Sequence, residues 1–252
     1  MKNTIYKLLA TKVRPIELAA LLKRILLIKR RYFSINNNYW YLDPVSNFGF
    51  RLMSDHYYEP EMTESILGLL NEGDSFIDLG ANEAYFSILA SKKIGKNGKV
   101  YCIEPQRRLW EVILKNINKN NCYNIKLIPF AISDNINEIS ISLSPTINTG
   151  SSTIVKESRR QLWETQQLFS TTLDDLFLMN DPYSIKLIKI DIEGYEFFAL
   201  KGGVKLLEKK IIKHIVIEFH PDQLNKLGQT AEAISSFLNS YGYLEKAGVY
   251  SC

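Results

Sequence analysis

The chain has 252 residues, 46% hydrophobic and 23% charged. That is enough for one large α/β domain with a substantial core, and it excludes disorder as the dominant state. The net charge of +4 hides an asymmetry: of 31 Lys and Arg, nine fall in residues 1–31 beside a single acid, Glu17, so the rest is mildly acidic and a basic nucleic-acid-binding body is excluded.

The three cysteines, Cys102, Cys122 and Cys252, form no CxxC pair. This speaks against a zinc site or a disulfide framework and fits a reducing, cytoplasmic compartment. In the basic head, the apolar run Ile16–Ile28 is interrupted by Lys23 and Arg24, so it is too short and too charged to span a membrane. No small-residue cleavage site follows it, which argues against a signal peptide. Two readings of residues 1–31 stay open: an amphipathic helix packed on the domain, or a peripheral helix on an anionic membrane surface.

Residues 39–52 are aromatic and turn-rich, and read as a small hairpin of 39–42 with 49–52. Met62, Ile66, Leu67 and Leu70 recur at helical spacing over 60–70. Residues 1–56 are taken as a basic helix and lead-in segment, and 57–252 as the main domain. In that domain apolar strands near 75–79, 99–104, 125–130, 185–191 and 213–219 alternate with helices near 84–93, 106–118, 172–178, 195–208 and 228–241. Such alternation predicts a mostly parallel, Rossmann-like sheet with helices on both faces. Residues 139–143 alternate with period two, and 151–155 are read as their return strand in an inserted β-hairpin.

In a parallel sheet the strand C-termini share one edge, where ligands bind. Ser75–Phe86 reads as a buried strand, a tight glycine turn at Gly80 and a helix start, which presents free N–H groups. Glu104 follows Gly80 by 24 residues, close to the roughly 20 at which an acid accepts ribose hydroxyls in dinucleotide folds. Together these point to an adenosine-containing cofactor. The same edge collects Ser133 and Asp134, then Asp191 and Glu193, then Glu218 and His220, an acidic set that favours a cationic ligand. Acids near helix starts also serve to stabilise the helix, and that suffices for Glu196. Asp191, ending an apolar strand inside a crevice, needs another explanation. Asp191, Glu193 and Glu218 have the oxygen chemistry of a magnesium site, but acids that balance a cationic ligand look the same, and no metal is assigned.

The segments Asp78-Leu79-Gly80-Ala81-Asn82, Glu104-Pro105, Ala131-Ile132-Ser133-Asp134, Thr172-Leu173-Asp174-Asp175-Leu176 and Lys189-Ile190-Asp191-Ile192-Glu193-Gly194-Tyr195-Glu196 resemble, in order and spacing, the FkbM family of S-adenosylmethionine (AdoMet)-dependent methyltransferases. The resemblance spans about residues 57–245. It implies a class I methyltransferase fold and methyl transfer to a hydroxyl of a sugar, glycan, glycolipid or natural product. It further implies that Asp78, Gly80, Ala81 and Asn82 form the wall along the methionine and ribose, and that Glu104 accepts the ribose hydroxyls. Ser133 or Asp134 would lie near the adenine amino group, Asp191 beside the reacting end, and Glu59 facing the cofactor. His220 and Asp191 are the candidate catalytic bases. Two departures stand out: Ala84 where the family has Gly, and Glu83 where it has a small or apolar residue. The short C-terminus implies an incomplete final strand pair, or its replacement by an N-terminal strand. Rival readings are a non-catalytic AdoMet-binding or membrane-associated scaffold and an NAD-dependent oxidoreductase. Against the latter, the turn lacks the further glycines that admit a pyrophosphate.

Overall fold

A computed structural model describes residues 2–14, 16–154, 164–178 and 184–252. The head forms two helices, α1 (Lys2–Thr11) and α2 (Ile16–Ile25). Next come strands β1 (Arg31–Ile35) and β2 (Asn38–Leu42), then helices α3 (Asn47–Asp55) and α4 (Pro60–Leu69). The main alternation runs β3 (Ser75–Leu79), α5 (Tyr85–Ile94), β4 (Lys99–Ile103), α6 (Arg107–Lys119) and β5 (Ile125–Ile128). An insertion holds β6 (Ala131–Ile132), β7 (Glu138–Leu143) and β8 (Glu164–Thr171). The chain continues through α7 (Leu173–Phe177), β9 (Ile185–Ile190), α8 (Glu196–Lys201), α9 (Val204–Glu208) and β10 (Ile212–Ile217). It closes with α10 (Pro221–Lys226), α11 (Ala231–Ser240), β11 (Leu244–Lys246) and β12 (Val249–Ser251).

The central sheet has the order β11-β12-β10-β9-β3-β4-β5. It is parallel except for β12, which runs antiparallel to both β10 and β11. The strand order reverses between β3 and β9, and this switch point opens a crevice at their C-terminal ends. Side chains alternate across the two faces. Phe76, Val100, Cys102 and Leu187 pack with α3, α4, α5 and α6, whereas Ile77, Leu79, Ile188 and Ile190 pack with α7 to α11. The mostly parallel α/β sheet covered on both faces is therefore the architecture of this chain.

Several local expectations are corrected. The N-terminal hairpin is β1 with β2, turned at Asn36-Asn37, whose φ values of 50° and 58° suit a tight two-residue hairpin. Residues 49–52 are helical instead, because Ser46 caps α3 by accepting the Gly49 N–H. Strand β7 pairs with β8, while Thr153 only bridges Ser142, and Val155 of the expected return strand lies outside the described residues. The helix expected over 195–208 splits at Gly202-Gly203: a Cβ on Gly202 would come 2.1 Å from the Ser133 carbonyl oxygen. The helix expected over 228–241 starts at Ala231, where Thr230 accepts the Ala233 N–H, and α10 precedes it. The sheet is also complete without an N-terminal strand. Ala247-Gly248, both at positive φ, turn β11 into β12 within two residues, so the short C-terminus supplies both strands.

The head is anchored by Tyr6, Leu9 and Ala19, which pack against Val45 and Ile147, and by an ion pair of Lys23 with Asp43. No helix among the described residues is long and apolar enough to cross a membrane.

Candidate active site

The crevice takes in about 990 Å³ of space, part of it open solvent at its mouth. Its floor is the loop Gly80–Glu83 after β3, flanked by Glu104 after β4 and by Asp191, Ile192 and Glu193 after β9. Glu218 and His220 enter from β10, Phe130 to Ile132 from beyond β5, Ser152 to Ile154 from the insertion, and Tyr58-Glu59 from the α3–α4 connection. The loop is tightly determined. A Cβ on Gly80 would fall 1.8 Å from the Asp191 carbonyl oxygen, so only glycine fits where the two strand ends meet. Asn82 and Ala84 also take positive φ, 49° and 66°, each a cost of roughly 1–2 kcal/mol that the surroundings must impose. Ala84 thus adopts the conformation for which glycine is the usual residue.

Beneath the floor, Asp78 and Lys189 face each other in register across β3 and β9. Both are almost fully buried. Lys189 Nζ donates to Asp191 Oδ2 at 2.9 Å and lies 3.8 Å from Asp78 Oδ1. Asp78 also accepts the N–H and hydroxyl of Ser87 at the start of α5. Burial by itself would lower the Lys189 value, but Asp191 and Asp78 carry it upward, so the ammonium stays charged. Burial would raise Asp191, yet Lys189 and His220 hold it at about 2. His220 Nε2 lies 3.0 Å from Asp191 Oδ1, and Nδ1 lies 3.7 Å from Glu193 Oε2. Burial opposes the imidazolium, but the Asp191 hydrogen bond and Glu193 lift it to about 9.

Glu104 Oε2 accepts the Asn82 N–H at 2.8 Å, and Oε1 accepts the Gln106 N–H at 2.9 Å. Burial nonetheless pushes its carboxyl up to about 7. Glu59 holds the residue before α4 at φ 45°. Its Oε2 is buried without a hydrogen-bond partner, and burial raises its carboxyl.

Of the residues singled out from sequence, Glu59, Gly80, Ala81, Asn82, Glu104, Asp191 and His220 line the crevice. Asp78 lies under the lining. Ser133 and Asp134 fall just past it, with the Ser133 hydroxyl donating to Asp134 Oδ1 at 3.1 Å. Sequence reasoning gave Lys189 no role. The available signal was a lysine two residues before Asp191, set between Ile188 and Ile190 at the buried end of the strand, where only an acidic partner makes burial tolerable. The partner of Glu83 was also missed: Arg30 grips it with two hydrogen bonds of 2.7 Å. Among the described residues, Asp191, Glu218 and His220 bring potential metal-ligand atoms within 4.8 Å of one another, although Asp191 and His220 already bond each other.

This geometry sets a titration. In the ligand-free protein the His220 ring, followed by NMR, should titrate near pH 9, and Asp191→Asn should bring it down toward about 6.5. Because the folded value lies above the unfolded one, His220 stabilises the fold fully below about pH 6.5, down to the pH near 3.8 where Asp191 begins to be protonated in the unfolded chain. That contribution disappears as pH rises through about 9. A ring titrating near 6.5 in the unaltered protein contradicts the assignment.

The donor set fits AdoMet: a carboxylate at the end of β4 with lone pairs to spare, a glycine floor, and an unsatisfied buried carboxylate oxygen for a cationic group. The family comparison agrees with it. The methyltransferase FkbM domain matches residues 78–245. Methyltransferase sdnD of Sordaria araneosa is 23% identical over 195 residues, 66% of this chain and 71% of that protein. Among solved structures, an FkbM methyltransferase of Methylobacillus flagellatus is 15% identical with a TM-score of 0.47, covering 99% of this chain and 58% of its own. A precorrin-6y C5,15-methyltransferase of Geobacter metallireducens is 17% identical with a TM-score of 0.43, covering 76% of this chain and 75% of its own. The chain belongs to the FkbM methyltransferase family, and its cofactor is S-adenosylmethionine.

Proposed function

We propose that this methyltransferase acts on a hydroxyl oxygen of a sugar, glycan, glycolipid or natural product. The observation that carries the reading is the Asp191–His220 pair at the strand ends, inside the crevice that holds Glu104. The bound cofactor supplies an electrophilic methyl group on a sulfonium. Glu104 accepts the ribose hydroxyls with the lone pairs left over from its two backbone bonds. Glu59 takes a cationic group with its unpartnered oxygen. Asp78 acts from below, fixing Lys189 and the start of α5. Ser133 or Asp134 serves the adenine edge. Tyr58, Phe130 and Tyr195 offer apolar ring faces against which a sugar can lie. Trp40, by contrast, is 1% exposed and packs on Tyr85, so it belongs to the core.

An acceptor hydroxyl must lose its proton, and His220, oriented by Asp191, takes it. With a value of about 9 the ring is charged at neutral pH and must first be deprotonated. The reading is tested by transfer of labelled methyl from AdoMet to a panel of neutral hydroxylated glycans and small molecules. For an acceptor that is turned over, kcat/KM should climb with pH and level off near pH 9, since that parameter reports the free enzyme. His220→Ala should lower kcat about 10²-fold. A flat pH profile with an active His220→Ala variant removes His220 from the reaction, and transfer only to nitrogen or carbon removes the oxygen acceptor.

A second surface supports a peripheral site of work. Ile5, Leu8, Leu18, Leu21, Ile25, Leu26 and Leu27 are all exposed on α1, α2 and the turn after it. Lys7, Lys12, Arg14, Arg24, Lys29 and Arg31 are exposed around them. Apolar side chains rimmed by cations match an anionic bilayer surface, to which each Lys or Arg adds about 1 kcal/mol. The full chain should float with phosphatidylserine-containing liposomes, less so at high salt, and not with neutral ones. Leu21→Glu with Leu26→Glu should abolish flotation. Unchanged flotation, or a stable dimer that the same changes dissociate, refutes lipid as the occupant.

A further inference from the structure

Glu83 is one of the two positions, with Ala84, at which the sequence departs from the family pattern it resembles, and its surroundings explain how an acid is held there. Its side chain is fully buried in the loop that floors the crevice, between the positive-φ residues Asn82 and Ala84. Backbone of this kind persists only where the surroundings impose it. One tie comes directly from the segment before the main domain, and a second reaches that segment through α6. Arg30 donates from both terminal nitrogens to the two Glu83 oxygens at 2.7 Å each. Asn116, also fully buried, donates to the Glu83 carbonyl at 3.0 Å while accepting the Tyr41 N–H of β2 at 2.6 Å.

We infer that Arg30 is a positioning residue for the cofactor: its two-point grip on Glu83 holds the Gly80–Ala84 loop in the shape that receives AdoMet. The inference rests on the AdoMet assignment and adds a residue outside the matched family region, which begins at Asp78. A carboxylate sealed from water needs a partner. Without the guanidinium, Glu83 turns toward solvent and takes the loop with it, since Asn82 and Ala84 have no intrinsic preference for their conformation. A lysine supplies the charge but only one point of attachment, so it restores the grip in part.

The test combines calorimetry with AdoHcy and hydrogen exchange of the ligand-free full chain. Arg30→Ala should weaken AdoHcy binding at least tenfold and speed exchange in peptides covering 80–86, while β9 and β10 exchange as before. The KM for AdoMet should rise by a larger factor than kcat falls, and Arg30→Lys should fall between Arg30→Ala and the unaltered chain. Should Arg30→Ala fail to fold, Arg30→Ala with Glu83→Ala leaves no buried charge behind. That double variant should still show faster loop exchange and at least threefold weaker AdoHcy binding. Either variant binding AdoHcy like the unaltered chain overturns the inference, as does faster exchange spread evenly through the sheet. Absence of AdoHcy binding to the unaltered chain would instead overturn the cofactor assignment.

Discussion

Lys189 sits between Asp78 and Asp191 at the place where the strand order of the sheet reverses. A buried ammonium is strongly unfavourable without compensation, and breaking such a buried pair commonly costs about 3–5 kcal/mol. Each charge in this triad is therefore tolerable only because the others are present. The triad joins β3 to β9 across their register and fixes the orientation of Asp191, which in turn orients His220. The orientation of Asp191, its low carboxyl value and the charge on His220 descend from this one arrangement.

That arrangement also explains why a pocket ringed by carboxylates is not simply a pool of negative charge. Asp191 is shared between an ammonium and an imidazolium. Glu104 is screened by two backbone N–H groups. Glu83 is closed off by Arg30. Glu59 keeps a buried oxygen with no hydrogen bond. Like Asp78 Oδ1 beneath the floor, it is a buried carboxylate oxygen with no hydrogen-bond donor.

Much of the architecture was legible in the chain itself. The runs 75–79, 99–103 and 185–190 are short and mostly apolar, each carrying one or two polar residues and bounded by turn residues, as parallel strands buried on both faces read. Glycine at position 80 and acids at 104 and 191 followed from where such strands end. What stayed hidden was non-local. Strand β7 finds its partner about twenty residues on, at 164–171, rather than at the nearer 151–155, and no period or turn signal encodes that choice. Lys189 makes sense only once β9 is known to lie beside β3. Arg30 and Glu83 meet across 53 residues of chain. The short C-terminal hairpin was underestimated because two strands of three residues carry too little pattern to be seen without the neighbour they pair with.

The seam between Gly80 and the Asp191 carbonyl has a mechanical corollary. With no side chain between them, the two strand ends are in direct backbone contact, and the base of the crevice has no slack along that line. The rim is built differently. Thr149 reaches Asn82, and Thr153 reaches the Glu193 carbonyl, through side-chain bonds of 2.8 and 2.7 Å. The base of the crevice is therefore closed by backbone alone, whereas its rim on the insertion side is closed by side chains, Arg108 on Ser144 and Ser152 among them.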